Sequence, residues 1–242
     1  MSKWTAVIFA VAGLVAATAG TAGAAFVKGS VTAGFVLPQM DMPRANAWVK
    51  TRDVEGFEKR LGREGEFGDI TPGMGFGVGY GVTLGDYFRI DAFVANMRKE
   101  HEVTYTAPQY ERTVRLTTHI LPVRVGGTFL MPGLLGGRIK PEMGLGIVTF
   151  IVNYDTFEEF RLIGVPVTGG TAWTRDVCYG PELRLGAEFT VFGPLAVEAY
   201  GTYWTGEATL VNWAKYGEVP LTGPTSEDFT GWAIWFAPRF YL

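Results

Sequence analysis

The sequence predicts an all-β chain, an eight-stranded antiparallel transmembrane β-barrel with short turns at one end and long loops at the other. Three observations predict it. Residues 73–82 place glycine at every odd position and a large residue at every even one, the period of two of a strand with one bare face. About eight such alternating runs follow one another, joined in turn by long polar stretches and short turns. With 33 glycines, 14% aromatic residues and only 19% charged ones, the composition favours strands and tight turns, and nothing after the first two dozen residues is long and apolar enough for a spanning helix. Spanning therefore falls to strands, and only a closed barrel leaves no unpaired edge in lipid.

Residues 1–24 carry Lys3, an apolar run and the small-residue ending Ala22-Gly23-Ala24. They read as a secretory signal peptide cleaved before Ala25, which leaves residues 25–242 as a single barrel domain. Val27, Val31, Ala33 and Phe35 alternate with Lys28, Ser30, Thr32 and Gly34 in a first strand over 25–36. The charge-rich stretch 38–69 is expected to be a long exposed loop, with a short helical turn over 54–61. The glycine strand then passes through Gly85-Asp86 into a run whose even residues (Phe88, Ile90, Ala92, Val94) are apolar and whose odd set includes Arg89 and Asp91.

Polar residues 98–112 are expected to form a second long loop. In the fourth strand, over 114–129, the parity of the apolar residues changes near His119, and a bulge at Pro122 is expected to cause it. A turn over 131–137, a fifth strand over 139–150 and a long connection over 153–171 lead to the sixth strand, 177–189. There Leu183, Leu185, Ala187 and Phe189 oppose Glu182, Arg184, Gly186 and Glu188. Gly193-Pro194 turns into the seventh strand, 195–204; a polar loop over 206–228 precedes the last, 231–242, with Trp232, Ile234, Phe236, Phe240 and Leu242 on one face.

The bare or charged face of these strands collects Lys28, Arg89, Asp91, Arg124, Lys140, Glu142, Glu182, Arg184, Glu188, Glu198 and Arg239. An eight-stranded interior is wide enough only for its own side chains or a small ligand. The expectation is a lumen charge network of ion pairs that fills the barrel, with a gated narrow pore or a small polar site as the functional alternative.

Other chemistries find little support. A formal net charge of −3 argues against nucleic acid as a partner, and the lone Cys178 allows no internal disulfide. His101 and His119 have no serine close in sequence, so no catalytic residue is assigned and the chain is expected not to be an enzyme. Two histidines and one cysteine also give no metal site, and no cofactor is expected. Gly75-Phe76-Gly77-Val78-Gly79 looks like a dinucleotide fingerprint but lies inside a strand that leads to a hairpin, not to a helix. Trp173, Trp204, Trp232, Trp235, Tyr87, Tyr179 and Tyr203 read as interface belts and lumen packing.

The glycine strand running into Leu84-Gly85-Asp86-Tyr87-Phe88-Arg89-Ile90-Asp91, the Pro141-Glu142-Met143-Gly144-Leu145-Gly146 strand and the aromatic C-terminal strand resemble the small outer-membrane β-barrel proteins of Gram-negative bacteria, the family of the OmpA transmembrane domain, OmpW and OmpX. The resemblance implies residence in the cell outer membrane, periplasmic termini and turns, contact with lipid and lipopolysaccharide, and recognition of the C-terminal strand by the barrel-assembly machinery. The chain ends in Leu242 where the family usually ends in phenylalanine, with Phe240 and Tyr241 keeping that end aromatic. The resemblance is to an architecture and not to an activity; the charge-filled lumen is what leads to the expectation of a structural or narrow-pore role. The alternatives are OmpW-like passage or binding of small hydrophobic molecules, and surface interaction or adhesion through the long loops 38–69 and 206–228; no small-molecule ligand is specified.

Overall fold

The computed structural model describes residues 27–53, 70–162, 164–210, 214–217 and 224–242. The signal-peptide segment and the helical turn expected over 54–61 lie outside them. Eight long strands form the wall: β1 (Val27–Met40), β2 (Gly75–Leu84), β3 (Phe88–Ala107), β4 (Tyr110–Leu130), β5 (Ile139–Leu162), β6 (Val165–Phe192), β7 (Leu195–Trp204) and β11 (Gly231–Tyr241). Each pairs antiparallel with the next, and β11 pairs back with β1, so the ladder closes on itself. No wall strand keeps an edge along the stretch common to all eight, as lipid requires. Three short strands, β8 (Glu207–Thr209), β9 (Ala214–Gly217) and β10 (Ser226–Asp228), lie between β7 and β11.

Alternation sends one side-chain set outward into an apolar belt. Phe35, Phe76, Val125, Leu145, Leu185 and Phe236 are all exposed on it. Trp232 and Tyr203, register partners, are exposed with Trp173 and Tyr179 toward the end of the belt away from the short turns, and Tyr87 is exposed at the other. Trp204 and Trp235 point the opposite way, into the lumen.

The long loops expected over 98–112 and 153–171 are instead mostly strand. β3 and β4 run on to a turn at Pro108-Gln109, and β5 and β6 continue until they are separated only by residues 163–164. These four strands are 20, 21, 24 and 28 residues long, against 10 or 11 for β2, β7 and β11. They therefore rise above the belt as a curved wall on one side of the barrel, which β9 extends by pairing with β6. Their polar composition reflects a strand in water, not a loop.

The expected bulge at Pro122 is absent as well. Pro122 pairs with Phe150, and the β4–β5 register runs unbroken from Tyr110 to Leu130. What changes near His119 is the environment. Below it the outward residues Leu121, Val123, Val125 and Phe129 face the belt; above it the outward residues are Thr113, Arg115, Thr117 and His119, and the apolar set Val114, Leu116 and Ile120 is buried inside. Backbone parity is constant while the apolar face moves from outside to inside, as expected where a barrel leaves lipid and its outer surface meets water.

The connection between β1 and β2 holds a helix that the sequence reading did not expect there, α1 (Pro43–Asp53). Pro43 sits at its first position, where a missing N–H costs nothing. Ala45 and Val49, one turn apart, are buried with Met42 and Ile70 against the top of the lumen. Asn46 pins the entry of β2: its amide donates to the Asp41 and Ile70 carbonyls at 2.6 and 3.1 Å, and its Oδ1 accepts from the Ile70 N–H at 2.6 Å.

Candidate functional site: a lumen filled in two layers

Near the short turns the lumen holds charge. Nine of the eleven charged residues expected inside are buried there: Arg89, Asp91, Arg124, Glu142, Glu182, Arg184, Glu188, Glu198 and Arg239. Lys28 and Lys140 are not part of the sealed layer. Lys28 is half exposed and lies 3.8 Å from Asp86, and both lysines line an open vestibule of about 280 Å³ at the short-turn mouth. They stand near strand ends, where inward parity opens on solvent.

Arg89 is the hub. Its guanidinium lies 2.8 Å from Glu188, 2.7 Å from Glu142, 2.6 Å from Glu198 and 3.4 Å from Asp91. Arg184 donates to Glu142 at 2.7 Å and to Asp91 at 3.2 Å. Arg124 pairs closely with Asp91 and stands 3.6 Å from Glu182. Arg239 donates to both Glu198 oxygens at 2.7 and 2.9 Å and to Ser30 at 2.5 Å. Four guanidiniums thus face five carboxylates, and neutral hydroxyls occupy the remaining lone pairs: Tyr241 donates to Glu188 at 2.5 Å, Thr202 to Glu182 at 2.6 Å and Thr128 to Asp91 at 3.2 Å. In so narrow an interior the charges are solvated by one another.

The second layer, toward the tall wall, is aromatic and aliphatic. Phe93 meets Trp235 edge-on at 4.6 Å, Trp204 meets Phe150 at 5.3 Å, and Phe150 stacks on Phe229 at 5.6 Å. Tyr200 joins the layers. Its ring carries the Arg184 guanidinium at 3.6 Å on one side and stacks near Trp235 at 5.9 Å, while its hydroxyl accepts from Arg124 at 2.9 Å. Above this core, α1 and the β8–β10 hairpin close the mouth: Met42, Val49, Ala208, Leu210 and Phe229 are all buried in the same cluster.

The sequence reading missed this apolar layer because its residues share parity with the charges below them. Phe93 follows Arg89 and Asp91 on the same face, and Tyr200 follows Glu198. A second buried ion pair, Arg112 with Glu158, lies high on the inner face of the wall and is not legible in the sequence, where polar residues 98–112 resemble a loop. The histidines stay apart: His119 faces outward and bonds the Asn96 side chain at 2.7 Å, while His101 lies inward on β3 opposite Leu116.

The glycines of β2 make room for particular neighbours. A Cβ on Gly77 or Gly79 would lie 2.3 or 2.6 Å from the Phe93 ring, so these positions make room for an aromatic side chain. Only Gly81 clears space for arginine, with Arg239 Nη1 2.7 Å from its would-be Cβ.

One carboxylate outside the belt holds the cap. Glu227 on β10 is fully buried and accepts the N–H groups of Ala45 at 2.7 Å and Arg44 at 3.2 Å, capping α1 from another loop. Burial raises its pKa above the usual carboxylate value, against the opposing pull of those N–H groups and of Arg44. A carboxyl with a raised pKa in the closed cap favours closure when protonated, and that advantage is lost as pH climbs through the raised value. Amide protection factors in α1 are therefore expected to fall as pH rises above the ordinary carboxylate value of 4.5, and Glu227→Gln should abolish the pH dependence. Protection that rises with pH would contradict it.

A search against protein-family models and against curated protein sequences matches nothing. Solved structures do resemble the chain. The outer membrane protein OprG from Pseudomonas aeruginosa is 11% identical, with 91% of this chain and 98% of that one covered and a TM-score of 0.46. A major outer membrane protein from Thermus thermophilus is 12% identical over 89% and 99%, with a TM-score of 0.42. Ail of Yersinia pestis, solved with the heparin analogue sucrose octasulfate, is 11% identical over 89% and 98%, with a TM-score of 0.36. The closed ladder and the apolar exterior decide the fold. The chain is an eight-stranded transmembrane β-barrel. Its eight wall strands and short turns agree with the expectation from sequence, and its loops differ as described.

Proposed function

We propose that the protein is a sealed structural barrel of the outer membrane, exported by a signal peptide over residues 1–24, with residues 25–242 forming the barrel. The observation that carries this reading is the doubly filled lumen, one layer of ion pairs and one of aromatics, beneath a helix held down by Glu227. A narrow pore would need a path past Arg89 and then past Trp204 and Trp235, all of them buried. Passage of small hydrophobic molecules would likewise have to displace the aromatic layer. The aromatic C-terminal strand, β11, is the segment offered to the assembly machinery, and the barrel carries no catalytic chemistry in this reading.

The purified barrel is expected to be electrically silent in planar bilayers at moderate voltage. Steady single-channel currents from the wild type would overturn the sealed reading in favour of a pore. The raised wall of β3 to β6 supports a second role, contact with an extracellular partner, because it carries its polar outer face well clear of the belt.

A further inference from the structure

The short-turn mouth carries charge that the plug leaves unused. Lys28 on β1 and Lys140 on β5 both line the vestibule there, and they stand four strands apart in either direction around the ring, on opposite sides of the opening. Lys28 has one loose partner, Asp86 at 3.8 Å, and both side chains of that pair are more than half exposed. Lys140 forms no ion pair among the described residues. Its register partner Glu188 is engaged instead by Arg89 at 2.8 Å and by the Tyr241 hydroxyl at 2.5 Å. Thr83, the register partner of Lys28 on β2, lines the same vestibule. It is only 4% exposed, and its hydroxyl is buried without a hydrogen-bond partner. Such a hydroxyl carries a desolvation cost that a bound acceptor would remove. The strands between the two lysines add apolar lining, Leu130 from β4 and Leu195 and Ala196 from β7.

We propose that the vestibule binds a small dicarboxylate, with one carboxylate at Lys28 and the Thr83 hydroxyl and the other at Lys140. The hydrocarbon spacer then lies against Leu130, Leu195 and Ala196. An ammonium is a compact charge with three donors, so each lysine suits a single carboxylate. Placement of the two on opposite sides favours an extended ligand over a compact anion such as phosphate. Glu188, which also lines the vestibule, disfavours further negative charge beside it. Two anionic ends joined by a neutral chain meet both conditions. The arginines of the plug do not compete for the ligand, because each is already held by carboxylates of its own layer.

The test uses the full barrel refolded in neutral-lipid nanodiscs, with adipate as the probe and hexanoate as the monoanion of the same chain length. NMR amide shifts follow both titrations at fixed ionic strength. Adipate should shift Lys28, Thr83 and Lys140 in one saturable transition, and hexanoate, with one charged contact fewer, should bind about tenfold more weakly. Lys140→Gln should weaken adipate by about the same factor, until it binds no better than hexanoate. Thr83→Val should also weaken adipate while leaving the urea midpoint of the ligand-free barrel unchanged or raised, because it removes a hydroxyl that has no partner. A purely structural threonine would not separate the two readouts in that way. Arg115→Gln, on the tall wall, should bind as wild type. Equal affinity for adipate and hexanoate, full affinity in Lys140→Gln, or inorganic phosphate binding as tightly as adipate would each overturn the proposal.

Discussion

Arg89→Ala is expected to lower the stability of the folded barrel by about 3–5 kcal/mol, the cost of stranding buried charges by removing one partner. Four carboxylates, Asp91, Glu142, Glu188 and Glu198, lie within 3.4 Å of its guanidinium, and the side chain is completely buried. Water cannot replace it without entering the narrowest part of the lumen. Arg89→Lys should recover only part of the loss, since one ammonium cannot serve four acceptors spread around a planar fork. Lys28→Ala, at the open vestibule, should change stability by less than about 0.5 kcal/mol. Urea unfolding of the barrel in vesicles reads all three. Equal midpoints for Arg89→Ala and Lys28→Ala would mean that the charged layer does not hold the barrel together.

Gly77→Ala, a single added methyl, is expected to cost about 3 kcal/mol, the upper part of the range for overpacking. Its Cβ would lie 2.3 Å from Phe93 Cε1 and 2.5 Å from the Val94 carbonyl oxygen. The ring could turn aside, but the carbonyl belongs to the β2–β3 ladder, where Gly77 pairs with Ala95, and cannot follow. Phe93→Leu in the Gly77→Ala background should therefore restore only a fraction of the stability. Val78→Leu, one residue along and facing the belt, should be tolerated. Folding yield and urea midpoint report both; if Gly77→Ala folds as well as Val78→Leu, the inward facing of β2 is wrong.

Much of the barrel was legible one residue at a time. Alternation in 73–82, 88–94 and 182–189 shows which side chains share a face, and the buried set Arg89, Asp91, Glu182, Arg184 and Glu188 follows directly. Strand ends were not legible. Residues 98–112 look like a loop because polar, charged segments usually are loops, yet Arg98, Glu100 and Glu102 line the watered outer face of a continuing strand. On β4 a change of solvent looked like a change of backbone. The helix over Pro43–Asp53 escaped notice for a related reason: with polar residues around most of its circumference, it is held by contacts with the barrel mouth and by the Glu227 carboxylate.

The sequence alone determined that the wall is built of antiparallel strands, and which parity of each strand points inward, because a period of two is a property of consecutive residues. It also determined that charge must lie inside somewhere, because eleven charged side chains share that parity, nine of which the fold buries. Tertiary structure decided which charges meet: Arg89 reaches Glu188 and Glu198 only once β3, β6 and β7 curve around a common lumen. It decided that Gly77 shelters Phe93 and that Tyr200 divides an ionic layer from an aromatic one. It also decided where the belt ends. Those outcomes depend on register across neighbouring strands and on which solvent meets each face, and alternation along a single strand encodes neither.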